Sequence, residues 1–363
     1  MSILAARLHS SQPMSQKLID FVIARNNEQS EAFSDPSERL HRQFYRTQHP
    51  TEIAVMKCMD GRLNLAIITK TPPGILQPFR NVGGMFDLGW PFYGELIREW
   101  VDYAIARSRP CLVIATYHFS RGETHRGCKG FGYDTEAARK GAENLRAQFE
   151  RVYGTRKRIV YPIVVGIETD EDVLVFHGEK GEVFVTGDHT KDSGESVEEA
   201  ITRLYPSMFP EVRRDLLPLI LGNIEHVREV RSSHRQPIEL DHAEQIIAVG
   251  RGFDWLHLPN RALIVGPYDH DWPSAVVTAG GIVLNNLKSG RISERDGALL
   301  LISSLSRDEF GSHGWNTAVE KARYVYRVAQ KVLHEKVPDL QPHLSTFVGV
   351  VDAQTRRMHR LDV

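Results

Sequence analysis

Continuous apolar segments alternate with amphipathic ones along this chain, and this alternation limits the folds that it can adopt. The first half contains three apolar segments and two helical patterns, at 52–57, 111–116, 161–167, 94–107 and 135–153. Apolar runs of this length are typical of parallel strands that helices cover on both faces. The pattern predicts an α/β fold with a mostly parallel sheet flanked by helices, and functional loops at the carboxyl ends of the strands.

The same order of segments returns in the second half. Residues 246–254 resemble 53–60, and residues 298–304 resemble 111–116. A further helix at 316–334 and a final apolar segment at 346–352 follow in the order of the first half. We therefore predict an internally duplicated fold; the alternative is two unrelated α/β domains that share only their apolar strands.

The polar segment at 187–199 separates the two halves. We therefore predict that the chain has four parts: an N-terminal helical arm at 1–50, a first sheet unit at 51–190, a helical connector at 191–240 and a second unit at 241–363.

Charge and cysteine content exclude several classes of function. Lys and Arg total 45 against 46 Asp and Glu, and without a long block of like charge we expect neither nucleic acid nor an anionic membrane as a partner. There is no apolar run near the roughly 18 residues that a spanning helix needs, and the N-terminus lacks the pattern of a signal peptide. The 3 cysteines do not make a disulfide framework, so we expect a soluble cytoplasmic protein with thiols.

The chemistry is concentrated in two short motifs, residues 57–62 (KCMDGR) and 125–128 (HRGC). Cys58, His125 and Cys128 make a Cys₂His set, which in catalytic zinc sites leaves the fourth tetrahedral position open. Asp60 and Arg62 lie beside the first thiol as a carboxylate–guanidinium pair, for which a salt bridge within the loop is the alternative interpretation to a role in the chemistry. His118, at the end of the second strand, is a rival ligand, but His125 is preferred because it keeps a His-x-x-Cys spacing.

These motifs, together with residues 79–83 (FRNVG), resemble the β-class carbonic anhydrases. The pattern of that family is Cys-x-Asp-Ser-Arg, then Arg-Asn-x-Ala/Gly, then His-x-x-Cys-Gly, and the resemblance covers roughly residues 50–180. A degenerate second copy fused to an active one is similar to the divergent carboxysome-shell branch.

The resemblance implies specific roles. Cys58, His125 and Cys128 would hold Zn²⁺ in unit 51–190, and hydroxide on the metal would attack CO₂ to give bicarbonate. Asp60, kept ionised by Arg62, would orient that hydroxide. The alternatives are hydrolysis of a CO₂ analogue such as CS₂ or COS, and a non-catalytic zinc-containing scaffold or bicarbonate sensor.

The chain also departs from the family pattern. Gly61 stands where serine is usual, Lys129 stands where glycine is usual, and Pro72 falls where plant-type members have a substrate-side glutamine. Arg80 and Asn81 have a second interpretation, as a structural brace.

The second half has lost the ligands. No cysteine follows Cys128, and Gly252 stands where Cys58 does, so one metal site per chain is expected. Because β-class enzymes work as tight dimers, the duplication would build the dimer within one chain, and the second half would form a wall of the active cleft. The resemblance further implies a homo-oligomer of these pseudo-dimers, with a shell or scaffold partner and a place in a bacterial microcompartment.

Overall fold

The computed structural model describes residues 14–154, 159–190, 196–233, 242–253, 256, 258, 260–307 and 311–363. Two mostly parallel sheets lie between helices, which confirms the predicted α/β class. Among the described residues, no helix is both long and apolar enough to cross a membrane.

The first sheet has six strands in the order β2-β1-β3-β4-β5-β6. Strands β1 to β4 run parallel, and β5 and β6 add an antiparallel edge. The strands are β1 Glu52–Cys58, β2 Leu76–Asn81, β3 Cys111–Phe119, β4 Val160–Glu168, β5 Val173–His177 and β6 Val183–Val185. Every residue of β4 is buried, as expected for a strand covered on both faces.

The second sheet repeats the arrangement, with the order β11-β10-β9-β7-β8 matching β5-β4-β3-β1-β2 of the first. Its strands are β7 Ile246–Gly250, β8 Ala262–Val265, β9 Ala298–Ser306, β10 Leu344–Asp352 and β11 Met358–Arg360. The last strand is again antiparallel to its neighbour. The shared order supports the predicted internal duplication, although residue 254 of the repeat lies outside the described residues.

Nine α-helices are described. They are α1 Met14–Ser34, α2 Pro36–Gln48, α3 Leu65–Ile68, α4 Pro91–Ile105, α5 Thr135–Tyr153, α6 Val197–Leu204, α7 Pro210–Ser233, α8 Trp272–Lys288 and α9 Gly311–Lys336. Asp35 caps α2 by accepting hydrogen bonds from the amides of Ser37 and Glu38, which explains the helix start at Pro36. The described residues also include five short 3₁₀ segments, at Val82–Gly84, Thr124–Arg126, Lys129–Phe131, Thr186–His189 and Pro338–His343.

The apolar core does not stop at the boundary between the two halves. One cluster of buried side chains includes Val55 of β1 and Leu216 of α7 together with Leu263 of β8. A second cluster joins Leu18 and Val22 of α1 to the strands of the second sheet. The N-terminal arm thus packs on the second sheet. The four-part division stays a prediction, and residues 1–13, 191–195 and 234–241 of it lie outside the described residues.

The edge strand β8 lies against the loop that follows β1. The amide of Ile264 donates a hydrogen bond to the carbonyl of Met59 at 2.7 Å, and the amide of Gly61 donates to the carbonyl of Ala262 at 3.0 Å. Asp60 and Leu263 form the antiparallel bridge between these two bonds. The second unit therefore forms a wall next to the first predicted motif.

Candidate metal centre

Two thiols and one imidazole meet at the carboxyl ends of β1 and β3. Cys58 is the last residue of β1, His118 is the penultimate residue of β3, and Cys128 immediately precedes the 3₁₀ segment Lys129–Phe131. The potential ligand atoms of these three residues all lie within 4.8 Å of one another. Since β1 and β3 are neighbouring parallel strands, their ends lie at one edge of the sheet, which brings Cys58 and His118 together.

The imidazole of His118 is buried without a hydrogen-bond partner. The residue is 2% exposed, and neither ring nitrogen makes a hydrogen bond within the described part of the chain. Buried polar groups are nearly always satisfied, so two orphaned nitrogens beside two thiols call for a further partner. Thiolates and a neutral imidazole are the ligands that a zinc-like cation takes in a site with one open position.

His125 lies apart from this cluster, which differs from the sequence-based expectation. Its side chain is 76% exposed, and its Nδ1 lies 3.1 Å from an Oε1 atom of Glu123. The ring packs against Tyr133, with the ring centroids 5.0 Å apart. The His-x-x-Cys spacing was therefore misleading, and the imidazole that the fold brings to the thiols is the rival His118.

The segment between β3 and Cys128 explains why His125 lies apart from the thiols. Asp170 holds it away from the sheet by accepting hydrogen bonds from the Ser120 hydroxyl at 2.9 Å and the Gly122 amide at 2.7 Å. The 3₁₀ turn at Thr124–Arg126 then directs His125 outward. One signal in the sequence favoured His118, because this residue lies near the end of an apolar segment that is typical of a buried strand.

The two thiols are coupled by a hydrogen bond between them. The hydrogen bond with Cys128, with a further contribution from burial, raises the pKa of the Cys58 thiol well above its usual value. The same hydrogen bond lowers the pKa of Cys128. A cation bound here would require both sulfurs as thiolates, because the thiolate is the form that ligates a metal.

Asp60 and Arg62 form a buried ion pair next to the thiols. Arg62 Nη2 lies 2.6 Å from Asp60 Oδ2, and Nε lies 3.1 Å from each carboxylate oxygen. The backbone amide of Arg62 also donates to Oδ1 at 2.9 Å. Burial opposes ionisation of Asp60, but the charge and hydrogen bonds of Arg62 outweigh it and hold the pKa of Asp60 far below its usual range. Asp60 is therefore a fixed carboxylate.

Two arginines connect the loops of the site. Arg62 Nη2 donates to the carbonyl of Arg126 at 2.9 Å, which ties the first motif to the second. Arg80 is buried and donates to the carbonyls of Asp60 at 2.7 Å and Leu63 at 3.0 Å. The structure thus supports the interpretation of Arg80 as a brace that shapes the turn carrying Asp60.

The displaced glycine of the second motif also has a steric role. A Cβ at Gly130 would lie 2.8 Å from Cα of Gly83. The loop that follows Cys128 therefore touches the loop that follows β2 through backbone atoms. Glycine is thus required at Gly130, while Lys129 is accommodated at the preceding position.

The second unit brings a histidine and a carboxylate close to Asp60. The ligand atoms of Asp60, His242 and Glu244 lie within 4.8 Å of one another. His242 Nδ1 is 2.7 Å from Glu244 Oε1, and Nε2 is 3.2 Å from the carbonyl of His125. Burial lowers the pKa of His242, but the hydrogen bond and charge of Glu244 outweigh it, so the pKa is raised overall. Sequence reasoning missed both residues, because they precede β7 and belong to no motif.

Comparison with known proteins agrees with this geometry. Residues 41–202 match the family model described as "Carboxysome Shell Carbonic Anhydrase, catalytic domain". The matched segment contains Cys58, Asp60, Arg62, His118 and Cys128. The fold and the match together define the first half as similar to a carbonic anhydrase catalytic domain, which confirms the resemblance seen in the motifs.

Within that class, the similarity is to the carboxysome shell branch. The carboxysome shell carbonic anhydrase of Prochlorococcus marinus subsp. pastoris is 27% identical over 240 residues, which cover 57% of this chain and 46% of the relative. That of Hydrogenovibrio crunogenus is 26% identical over 246 residues, with the same two shares. That of Halothiobacillus neapolitanus is 25% identical over 251 residues, covering 58% and 49%. The chain therefore spans about half the length of the curated relatives that it matches.

Proposed function

We propose that this chain binds Zn²⁺ through Cys58, His118 and Cys128 and catalyses the reversible hydration of CO₂ to bicarbonate. The single observation that carries the proposal is the clustering of two buried thiols and a buried imidazole, with orphaned ring nitrogens, next to an arginine-paired carboxylate. The similarity of residues 41–202 to the catalytic domain of carboxysome shell carbonic anhydrases supports it. In this proposal, His118 takes the place of His125, the ligand that the His-x-x-Cys spacing predicted.

The ligand set suits catalysis better than a purely structural role. Three protein ligands leave the fourth position of a tetrahedral site for solvent, whereas structural zinc sites are closed by four. When bound, Zn²⁺ supplies the Lewis acidity that makes hydroxide available near neutral pH. A structural site has no need of the adjacent Asp60–Arg62 pair, which argues against a scaffold that merely retains zinc.

Asp60 accepts a hydrogen bond from the reacting solvent molecule in this proposal. Its carboxylate is ionised throughout the physiological pH range, because Arg62 holds its pKa so low. An acceptor that never becomes protonated orients the solvent O–H and leaves the oxygen lone pair directed at the carbon of CO₂. Arg62 thus acts as a positioning residue that keeps Asp60 charged and in place.

His242 and Glu244 extend this polar array to the second unit. With Nδ1 facing Glu244 and Nε2 facing a carbonyl oxygen, the protonated imidazole satisfies both neighbours as a donor. A charged imidazolium close to Asp60 adds a second cation that favours the carboxylate form. The second half thereby contributes to the electrostatics of the site.

A stopped-flow CO₂ hydration assay with Cys58→Ser tests the function directly. We expect loss of zinc, measured by mass spectrometry, together with loss of hydration activity. Cys111→Ser is the matched control, because Cys111 is a buried thiol at the start of β3 and does not belong to the ligand cluster. Equal hydration rates for wild type and Cys58→Ser would overturn the proposal, as would a zinc-loaded wild type without turnover.

We further propose, from the names of its relatives alone, that the chain associates with a carboxysome shell. Co-fractionation with purified shells would support this location, and a chain found only in the unassembled fraction would contradict it. The zinc and hydration measurements do not depend on that outcome.

A further inference from the structure

A cavity of about 820 Å³ lies at the junction of the N-terminal arm and the two sheet units. The arm contributes Phe33 and Arg42, strand β2 contributes residues 76–78, and the second unit contributes Arg251 and Arg307. None of the residues assigned to the metal centre or to the acid–arginine pair lines this cavity. It is therefore a separate space from the site described above.

The shared strand order places this cavity in the second unit where the first unit has its metal centre, after the strand that occupies the place of β1. Ile53 pairs with Leu112 in the first unit, and Ile246 pairs with Leu299 in the second. With Ile246 taken as the counterpart of Ile53, Arg251 stands at the position of Cys58; with Ile247 taken instead, Gly252 does, and both residues line the cavity. The expectation that Gly252 replaces Cys58 stays a prediction.

With Ile246 as the counterpart of Ile53, Leu305 stands at the position of His118. Both replacements, Arg251 and Leu305, line the cavity. The pseudo-symmetry extends to the strands that wall the two sites. In the first unit, β8 lies against the loop after β1. In the second unit, β2 lines the cavity beside the loop after β7. Where the first unit has a thiol and an imidazole, the second has a guanidinium and an apolar side chain.

The lining of the cavity is strongly cationic. Among the residues that the structure describes, seven lysines and arginines line it together with one carboxylate, Glu38; they are Arg25, Arg42, Lys57, Lys70, Arg251, Arg307 and Arg356. Carboxylates outside the lining neutralise two of them, Arg25 through Glu28 and Lys70 through Glu225 and Glu229. Within the described part of the chain, Arg42, Arg251 and Arg307 form no ion pair with a carboxylate.

Two of these cations lie close to the aromatic ring of Phe33. The guanidinium carbon of Arg42 lies 3.8 Å from the ring centroid, and that of Arg356 lies 5.1 Å from it. Arg42 is 6% exposed, and its Nη2 donates to the carbonyl of Phe33 at 2.6 Å. Burial, reinforced by the charge of Arg46, lowers the pKa of Arg42, as expected for a cation without adequate counter-charge.

We propose that this cavity binds a small organic anion bearing two or more phosphate or carboxylate groups. Guanidinium groups match both kinds of oxyanion with paired N–H donors, and several convergent cations favour a multiply charged ligand over a monoanion. The volume is within the usual range for small-molecule sites. The metal-ligand positions of the second unit have thus become part of an anion site.

Isothermal titration calorimetry on the full chain tests the proposal with two probes, fructose 1,6-bisphosphate and tricarballylate. We expect one probe molecule bound per chain, with affinity falling as salt rises. Arg307→Gln, at an exposed position, and the double variant Arg251→Gln/Arg307→Gln should each weaken binding, the latter by at least about tenfold. Thermal melting checks that the variants are folded.

The matched control is Arg98→Gln/Arg323→Gln, which removes two exposed arginines from α4 and α9 that pair with Glu95 and Glu320. We expect its affinity to remain that of the wild type. Binding of the bisphosphate alone would identify phosphate as the recognised group, and binding of the tricarboxylate alone would identify carboxylate. Absence of binding by both, or equal weakening in the control variant, would overturn the proposal. The heat of binding is measured without turnover, so this result is independent of the hydration assay.

Discussion

The amide of Gly61 donates a hydrogen bond to the carbonyl oxygen of Ala262 at 3.0 Å, so the loop that carries Asp60 is paired with an edge strand of the second unit. A Cβ at Gly61 would lie 2.3 Å from that oxygen. This close approach explains why glycine stands where the related family usually has serine. A serine at this position would clash with the backbone of the second unit.

Replacing Gly61 by alanine should therefore damage both stability and activity. The added methyl group meets backbone, which cannot move aside, so we expect a loss of about 1–3 kcal/mol in the free energy of unfolding. Urea denaturation measures this loss, and the hydration assay should show reduced turnover. Gly281→Ala is the control, because a Cβ there has no neighbour within 4 Å. Equal effects of the two substitutions would contradict the steric explanation.

Substitution of the two candidate histidines separates the competing ligand sets. His118→Ala should reduce the metal retained after dialysis by at least about tenfold, because it leaves only two protein ligands. His125→Ala should retain metal as the wild type does, since its side chain is exposed and paired with Glu123. Elemental mass spectrometry gives the metal content of both. Loss of metal in His125→Ala alone would restore the ligand set first inferred from the His-x-x-Cys spacing.

Removal of Arg62 should be more harmful than removal of the whole ion pair. Arg62→Ala leaves the buried carboxylate of Asp60 without its main partner, and breaking such a pair costs about 3–5 kcal/mol. Asp60→Ala/Arg62→Ala removes the stranded charge and should recover part of that stability. Urea unfolding of both single variants and the double variant gives the coupling energy. Additive losses would show that the two side chains do not depend on each other.

The His242–Glu244 pair should make stability depend on pH. Because the folded state raises the pKa of His242 above its unfolded value, the stabilisation is fully present below the unfolded pKa of about 6.5 and is lost as the pH rises through the folded pKa. The stability difference between wild type and His242→Asn should therefore shrink from pH 6 towards pH 9. Chemical denaturation at several pH values measures this difference. A difference that is constant over this range would show that His242 does not change its charge there.

Much of the fold could be predicted because its signals are local. Apolar runs such as residues 161–167 are typical of strands covered on both faces, and their repeated order predicted the two similar sheets that the structure shows. Cys58, Asp60, Arg62 and Cys128 could be selected for a similar reason, since rare residue types stand close together in short motifs.

The histidine of the metal cluster could not be selected in this way. His118 and Cys128 are separated by a segment that Asp170 holds outward, so their proximity depends on contacts distant in sequence. The pairing of β8 with the loop at Gly61 is likewise a contact across about 200 residues of chain. No local spacing encodes such contacts.

The sequence by itself determined the class of fold, the duplication and the thiol, carboxylate and guanidinium groups, because periodicity and residue chemistry are properties of short segments. Only the tertiary structure decided which imidazole joins the thiols, that His242 and Glu244 reach Asp60, and that the degenerate positions open into a cationic cavity. These depend on strand register and on the packing of one half against the other, which arise from the folded chain as a whole.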